Sequence, residues 1–193
     1  MTLTAPRAAT YADIEALAPN LVGEIIDGGL VTHPRPSPRH AEASARLASE
    51  LDGPFRKGQG GPGGWRFMIE PELHLGPHVL VPDIAGWRHE RLPKLPDTAY
   101  LEVMPDWICE VLSNGTERYD RGAKRTIYAA FGLAQYWLLD PRTQVLEAFE
   151  LRGADWLLCR TFTDADTVAA PPYEACPIEL GGIWSASPAS RKD

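Results

Sequence analysis

The sequence predicts a fold of the α/β or α+β class, with a mixed central β-sheet flanked by helices and an N-terminal β-hairpin. Apolar segments of strand length follow one another from residue 65 to residue 113 and again after residue 133. Two segments with the hydrophobic spacing of helices interrupt them, and Gly- and Pro-containing turns separate the elements. Because strands and helices are mixed along the chain, one sheet covered by helices is the expected architecture.

The first elements are a short helix and a hairpin. Thr10 is expected to cap a helix that extends through Leu17, because Asp13 stands at the position that a capping-box variant requires. The segment GEIIDGGLV contains two short apolar runs around Asp27 and Gly28. An Asp-Gly pair readily adopts the positive φ angles of a tight turn, so the segment predicts a β-hairpin.

The segment SPRHAEASARLASELDG predicts the first long helix. Ser37 is a suitable N-cap, Pro38 fits the first turn, and Gly53 is expected to end the helix. Three residues of the segment share one face at helical spacing: Ser44, Leu47 and Leu51.

The remaining elements are strands and one further helix. Three strand candidates follow the loop GQGGPGG: WRFMIEPELHL, VLVPDIAGW and DWICEVLS. A second helix is expected from about Glu117 to Phe131, ended by Gly132. Three more strand candidates complete the chain: AQYWLLDP, TQVLEAFEL and DWLLCRTF.

Length and composition predict a single domain over residues 1–184. A chain of 193 residues buries roughly 70% of its unfolded surface, so it needs neither disulfides nor a metal to fold. The contents of 44% hydrophobic and 23% charged residues are those of an ordinary globular protein. Residues 185–193, with the sequence SASPASRKD, are expected to form a flexible tail.

Cysteine spacing and hydropathy predict a cytoplasmic protein. The cysteines at 109, 159 and 176 are odd in number and form no CxxC pair, which argues against a disulfide framework and a zinc site. No apolar run approaches the ~20 residues that span a bilayer. The N-terminal MTLTAPRAAT lacks the apolar segment of a signal peptide. We therefore expect a protein that is neither exported nor embedded in a membrane.

Positive charge is concentrated in two short segments, although the formal net charge is −7. The first contains Arg35, Arg39 and Arg46, and the second contains Arg118, Arg121, Lys124 and Arg125. The negative net charge argues against a surface that binds nucleic acid non-specifically. It leaves two interpretations of the clusters open, a local basic groove and an ordinary solvated surface.

Two carboxylates stand in apolar strand candidates. Side-chain alternation in DWICEVLS puts Ile108, Glu110 and Leu112 on one face, so Glu110 is flanked by apolar groups. In VLVPDIAGW, 27 residues upstream, Asp83 stands between Val81 and Ile84. A charge that leaves water needs compensation, and two neighbouring carboxylates either share a proton or bind a cation. Oxygen ligands suit Mg²⁺ or Mn²⁺.

The segments VPDIAGW and EVLS resemble the PD-(D/E)XK nuclease superfamily, in which an Asp after Pro and an acid on the next strand hold the catalytic metal. The ordered set of motifs is similar to one bacterial subgroup, the restriction endonuclease family of Uma type. The motifs run from about Tyr11 to Leu151: EIIDGGLV, SPRH, VPDI, ERLPKLPD, EVLS, DRGAKRTIYAAFG and QYWLLDP. The resemblance implies a restriction-endonuclease-like fold and metal-dependent phosphodiester hydrolysis.

One departure from the superfamily pattern concerns its lysine, because Leu112 occupies the position two residues after Glu110. The Uma-type subgroup has a lysine that has migrated to the following helix. In DRGAKRTIYAAFG, Lys124 shares a helical face with Asp120 and Tyr128. Its long side chain can lie along the sheet while the amine reaches the acids. Lys124 is therefore the candidate for the catalytic lysine.

The resemblance implies a role for each candidate residue. Asp83 and Glu110 hold one Mg²⁺ or Mn²⁺, or two such ions, and Lys124 positions water or stabilises the phosphate in the transition state. Glu70 adds a third carboxylate or orients water near the metal, and His40 contacts a phosphate or such a water. The implied product is a DNA strand with a 5′-phosphate, and a homodimer would cut both strands of a duplex.

Other interpretations remain open for these residues. Asp83, Glu110 and Lys124 also fit a structural buried ion network. Glu70 also fits a solvent-facing edge acid, and His40 a packing or capping residue at the start of a helix. For the whole chain, the alternative function is a catalytically silent nucleic-acid-binding or assembly protein with the same fold.

Overall fold

A six-stranded mixed sheet forms the centre of the computed structural model, which describes residues 7–184. In chain order the strands are β1 (Leu21–Ile26), β2 (Gly29–Pro34), β3 (Trp65–Ile69), β4 (Leu73–Leu75), β5 (His78–Leu80), β6 (Ile84–Arg88), β7 (Trp107–Val111), β8 (Gln135–Asp140), β9 (Val145–Arg152), β10 (Asp155–Thr163), β11 (Thr167–Val168) and β12 (Ile178–Glu179). The α-helices are α1 (Tyr11–Glu15), α2 (Pro38–Leu51), α3 (Glu117–Asp120) and α4 (Ala123–Ala130).

The central sheet has the strand order β10-β9-β8-β7-β6-β3. Within it, β7 and β8 are parallel and the other neighbours are antiparallel. A four-stranded antiparallel sheet has the order β2-β1-β5-β4, and β11 pairs with β12. The fold is therefore of the predicted mixed α+β class, with the N-terminal hairpin built into the second sheet.

The two faces of β7 belong to two separate hydrophobic cores. Trp107, Cys109 and Val111 pack in the core that contains the apolar face of α2 and the C-terminal segment from Val168 to Trp184. Ile108 and Leu112 pack in the core that contains residues of the second sheet and of α4. The alternation predicted for this strand is confirmed, and Glu110 lies on the face of the second core.

The hairpin and the start of α2 also agree with the sequence prediction. Asp27 and Gly28 have φ angles of 51° and 76°, which gives the expected tight turn between β1 and β2. Ser37 accepts a hydrogen bond from the backbone N–H of His40 and caps α2. Thr10 and Asp13 form the predicted capping box, although α1 ends at Glu15 and not at Leu17.

The prediction that Gly53 ends the first long helix was wrong. After Leu51 the backbone continues as a π-helical turn over Asp52–Arg56. Pro54 lacks the N–H that an α-helical hydrogen bond would need, and the wider turn places Phe55 in the core, where it is 1% exposed.

The second long helix is also interrupted, because α3 and α4 are separate helices. Gly122 has φ −114° and ψ −102°, and a Cβ atom built there would lie 2.7 Å from the carbonyl oxygen of Arg118. Only glycine fits this close approach. The break still leaves Asp120 and Lys124 side by side, with 3.3 Å between carboxylate oxygen and amine.

Two strand candidates are each divided into two strands. WRFMIEPELHL becomes β3 and β4, because Glu70 has a positive φ of 48° and Pro71 cannot donate a ladder hydrogen bond. VLVPDIAGW becomes β5 and β6, which belong to different sheets. The sequence predicts Asp83 within a strand. In the structure it lies instead in the bend immediately before β6.

Within residues 7–184, no helix has both the length and the apolar character needed to cross a membrane. The tail predicted for residues 185–193 lies outside the described residues. The single-domain boundaries stay a prediction.

Candidate active site

A cavity of about 390 Å³ lies beside the end of β7. All five residues that the sequence singled out line it: Asp83, Glu110, Lys124, Glu70 and His40. The structure thus brings together side chains that are up to 84 positions apart, from His40 to Lys124.

Asp83 and Glu110 are tied to each other's backbone. The N–H of Asp83 donates to Glu110 Oε2 over 3.2 Å, and the N–H of Val111 donates to Asp83 Oδ2 over 2.7 Å. These bonds cross between the bend before β6 and the end of β7, which are adjacent in the central sheet. The two carboxylates are therefore held as a pair by the antiparallel pairing of these strands, as the sequence analysis expected.

Lys124 reaches this pair from the first turn of α4. Its amine lies 2.8 Å from Glu110 Oε1, 3.2 Å from Glu24 Oε1 and 3.3 Å from Asp120 Oδ1. The side chain is 3% exposed. The amine thus has three carboxylates within ion-pair distance, as many as the N–H donors of an ammonium group.

Glu24 and Asp120 are site residues for which the sequence analysis assigned no role. Glu24 lies on β1 and is 2% exposed, and its Oε1 accepts from the backbone N–H of Val81 over 2.8 Å. One oxygen of Glu24 thus connects the segment before Asp83 to the amine of Lys124. A glutamate between apolar residues of a predicted strand was the available signal for Glu24, and the i, i+4 spacing from Lys124 was the signal for Asp120.

Burial and the excess of carboxylates over the single amine together shift the pKa values of these groups. Burial raises the pKa of Glu110 well above its ordinary value; the Lys124 ammonium lowers it, and the neighbouring acids raise it further. Burial by itself lowers the pKa of Lys124, but the three carboxylates together raise it well above its ordinary value. Burial likewise raises the pKa of Asp120. The amine is held charged, while one carboxylate lacks full compensation.

Glu24 behaves differently from Glu110 because donors surround it. Burial raises its pKa, but Lys124, His33 and the Val81 N–H together lower it to about 2. His33 Nε2 lies 3.7 Å from Glu24 Oε2. Glu24 is therefore an ionised acid that offsets the charge of Lys124.

Tyr128 adds a neutral donor to the network. Its hydroxyl donates to Glu110 Oε1 over 2.8 Å, and the side chain is fully buried. Burial and the charge of Glu110 raise the pKa of Tyr128 well above its ordinary value, so the hydroxyl keeps its proton. Glu110 Oε1 consequently accepts a hydrogen bond from Tyr128 and forms an ion pair with Lys124.

His40 and Glu70 occupy different parts of the cavity wall. His40 Nε2 lies 3.2 Å from Asp83 Oδ1, and burial opposes but does not cancel the rise in the His40 pKa that Asp83 causes. Glu70 follows β3 directly and lies 3.8 Å from the guanidinium of Arg35. His40 therefore touches the carboxylate pair, whereas the side chain of Glu70 forms a surface ion pair with Arg35.

The donor set of the site fits a hard divalent cation supported by two carboxylates. Asp83 and Glu110 offer oxygens only, and the pKa of Glu110 is raised by burial first and by neighbouring acids second, so a bound cation would favour its charged form. In the described part of the chain, no group of three or more His, Cys, Asp or Glu side chains has the arrangement of a metal cage. Mg²⁺ needs no such cage, because waters and substrate phosphate usually complete its coordination.

Comparison with known proteins agrees with the recognition made from the sequence. The model of the Uma2 family, described as "Putative restriction endonuclease", matches residues 9–179. The chain is also similar to a crystal structure described as a putative nuclease belonging to DUF820 from Anabaena variabilis ATCC 29413. The two share 20% sequence identity with a TM-score of 0.70, covering 84% of this chain and 89% of that chain. This likeness shows the shared fold, and no curated protein matches.

Proposed function

The chain belongs to the Uma2 family of restriction-endonuclease-like proteins, and on that premise we propose that it is a metal-dependent endonuclease that hydrolyses phosphodiester bonds of DNA. The observation that carries this proposal is the meeting of Asp83, Glu110 and Lys124 in one cavity. Two acids at the ends of neighbouring strands, with a lysine from the adjacent helix, are the groups that phosphodiester hydrolysis with a divalent metal needs.

Asp83 and Glu110 would hold Mg²⁺ or Mn²⁺. When bound, the cation supplies Lewis acidity that activates water and offsets charge on the phosphate. The protein's own contribution is to keep both carboxylates in place before substrate arrives. The backbone N–H groups of Asp83 and Val111 do this, and His40 Nε2 restrains the second oxygen of Asp83.

Lys124 would stabilise negative charge on the phosphate or orient the attacking water. In the structure its amine is already in ion-pair contact with Glu24, Glu110 and Asp120. Lys124 can therefore contact substrate only after one of these contacts opens. The contact to Asp120 is the longest, at 3.3 Å, and the other oxygen of Asp120 has no hydrogen-bond partner in the described chain.

The experiment that tests the proposal combines plasmid nicking with titration of Mn²⁺ into the wild-type protein. We expect nicking that requires Mg²⁺ or Mn²⁺ and leaves a 5′-phosphate. Asp83→Ala should abolish both nicking and metal binding. Asp97→Ala, which removes an exposed acid outside the cavity, should change neither. Metal binding and cleavage that survive in Asp83→Ala would refute the assigned site.

The second candidate function is a catalytically silent protein with the same fold that binds nucleic acid or supports assembly. The saturation of Lys124 by three carboxylates favours it, since a structural network needs no free donor. Metal titration separates the two candidates, because the silent protein would bind DNA without binding Mn²⁺ at Asp83.

We also propose that the endonuclease acts as a homodimer in the cytoplasm. Two sites related by a two-fold axis can cut both strands of a duplex. Molar mass measured by light scattering across a concentration series tests the oligomeric state, and a monomer at all concentrations would contradict the dimer.

A further inference from the structure

Three exposed arginines line the same cavity as the acids, and one of them, Arg142, is held by Asp140, Asn114 and Glu117. Arg35 and Arg39 lie on either side of Ser37, the N-cap of α2. Arg35 is 63% exposed, and its ion pair with Glu70 is long, at 3.8 Å. Arg39 makes no hydrogen bond or ion pair with any residue between 7 and 184. The Arg39 guanidinium is thus available for an external anion, whereas that of Arg35 also donates to the carbonyl oxygen of Pro19 over 3.5 Å and has only long contacts to exchange.

Other members of the two basic clusters have structural contacts instead. Arg46 donates to the carbonyl oxygen of Gly182 over 2.9 Å and so fastens the C-terminal segment to α2. Arg121 forms ion pairs with Glu117 at 2.9 Å and Glu147 at 2.6 Å. Among the arginines that line the cavity, Arg39 therefore differs from Arg35 and Arg142 in having no such contact within residues 7–184.

Because the cavity is lined by acids, a nucleic-acid strand needs positively charged groups beside it in order to approach. Four carboxylates line the cavity, and Lys124 is already engaged. These carboxylates belong to Glu70, Asp83, Glu110 and Asp120. A phosphodiester that approaches them meets repulsion unless positive groups lie beside its path. The start of α2 adds a favourable field, because the N-terminus of a helix carries partial positive charge.

His40 holds the start of α2 against the acids of the cavity. Its side chain is 9% exposed and lines the cavity, and its Nε2 atom lies 3.2 Å from Asp83 Oδ1. The first turn of α2, which contains Arg39, therefore lies directly beside Asp83.

We infer that Arg39, assisted by Arg35 and the first turn of α2, binds a backbone phosphate of the nucleic acid next to the phosphate that is cut. The inference rests on the proposed endonuclease function and adds the surface that holds the substrate. Such a contact positions the strand without reading its bases, so it acts on all sequences equally. Arg39 is a binding residue in this account and takes no part in bond cleavage.

The test measures DNA binding by fluorescence anisotropy in Ca²⁺ at several salt concentrations, with wild type, Arg39→Ala and Arg39→Lys. Arg39→Ala should raise the Kd about 5- to 10-fold at low salt and reduce the slope of log K against log salt by about one. Arg39→Lys should recover most of the affinity. The control is Arg152→Ala, which removes one exposed arginine outside the cavity and gives the same net charge.

Single-turnover cleavage in Mg²⁺ at saturating DNA separates this inference from the proposed function. A rise in the Kd of Arg39→Ala that exceeds any fall in its cleavage rate at saturating DNA supports the phosphate site. Wild-type cleavage with unchanged Kd and salt slope in Arg39→Ala overturns the phosphate site alone. A wild type that neither binds nor cuts DNA overturns both.

Competition with inorganic phosphate tests the source of the phosphate group. Inorganic phosphate should compete with DNA only at far higher concentration, because a free anion lacks the neighbouring contacts. Equal potency per phosphate would overturn the assignment of the site to the nucleic-acid backbone.

Discussion

Replacing Lys124 with Met tests whether the amine is the counter-charge of the buried carboxylates. Met has similar length but no charge, so Glu24, Glu110 and Asp120 lose their common partner in a site that is 3% exposed or less. Removing one member of a buried ion pair typically costs about 3–5 kcal/mol, because the remaining charge is uncompensated. We expect a loss of about 4 kcal/mol in the free energy of unfolding at pH 8.

The loss should depend on pH in a definite direction. Without Lys124, the carboxylates have folded-state pKa values raised above the unfolded values, so the folded protein binds more protons than the unfolded chain. The resulting stability is fully present below the unfolded pKa and is lost as pH rises through the folded pKa. At pH 5 a carboxylate is protonated at a cost of about 1 kcal/mol, so the deficit should shrink to about 1–2 kcal/mol.

Urea unfolding of wild type and Lys124→Met at pH 5, 6.5 and 8 measures this effect. Lys57→Met is the matched control, because Lys57 pairs with Asp52 on the surface and its loss should leave stability nearly unchanged. If Lys124→Met is too unstable at pH 8, the double variant with Glu110→Gln should be the more stable of the two. A deficit equal to that of the control, or one that is independent of pH, would refute the counter-charge account.

Three further outcomes follow from the same network. Glu110→Gln should abolish cleavage while leaving the thermal midpoint similar or higher, because burial raises the pKa of Glu110 and the charged form is unfavourable; a large fall in the midpoint on calorimetry would indicate a structural role instead. Glu24→Gln should lose roughly 3 kcal/mol at pH 7, and this loss should fade as pH falls from about 4.5 towards 2, because the pKa of Glu24 is lowered to about 2 and its contribution disappears on protonation. A pH-independent loss in denaturant titrations would contradict that assignment. Gly122→Ala should destabilise the protein by more than about 1 kcal/mol, measured by thermal unfolding, because the new Cβ meets the Arg118 carbonyl oxygen at 2.7 Å; a neutral effect would contradict the tight break between α3 and α4.

The parts of the fold that the sequence could predict are those with local causes. The alternation in β7, the Asp27-Gly28 turn and the Ser37 cap each depend on neighbouring residues, and the structure has all three. The proximity of Asp83 and Glu110 required only that two consecutive strands pair, which they do through β6 and β7.

The parts that the sequence could not predict depend on distant contacts. Glu24 joins the site through the N–H of Val81, 57 residues away, when the second sheet packs beside the central one. Its position in a hairpin strand gives no sign of this meeting. Gly122 and Glu70 break predicted elements where the backbone must change direction to serve two sheets or two helices, and hydrophobic spacing alone does not show such breaks. The role of each site residue, the metal and the dimer stay predictions.

The most direct test of the central claim is a crystal grown with Mn²⁺ and recorded with its anomalous signal. The account predicts a peak between the side chains of Asp83 and Glu110, about 2–2.3 Å from a carboxylate oxygen of each. It also predicts that the amine of Lys124 remains within contact of Glu24. A structure with manganese bound elsewhere and none at these two acids, at a concentration that supports nicking, would contradict it.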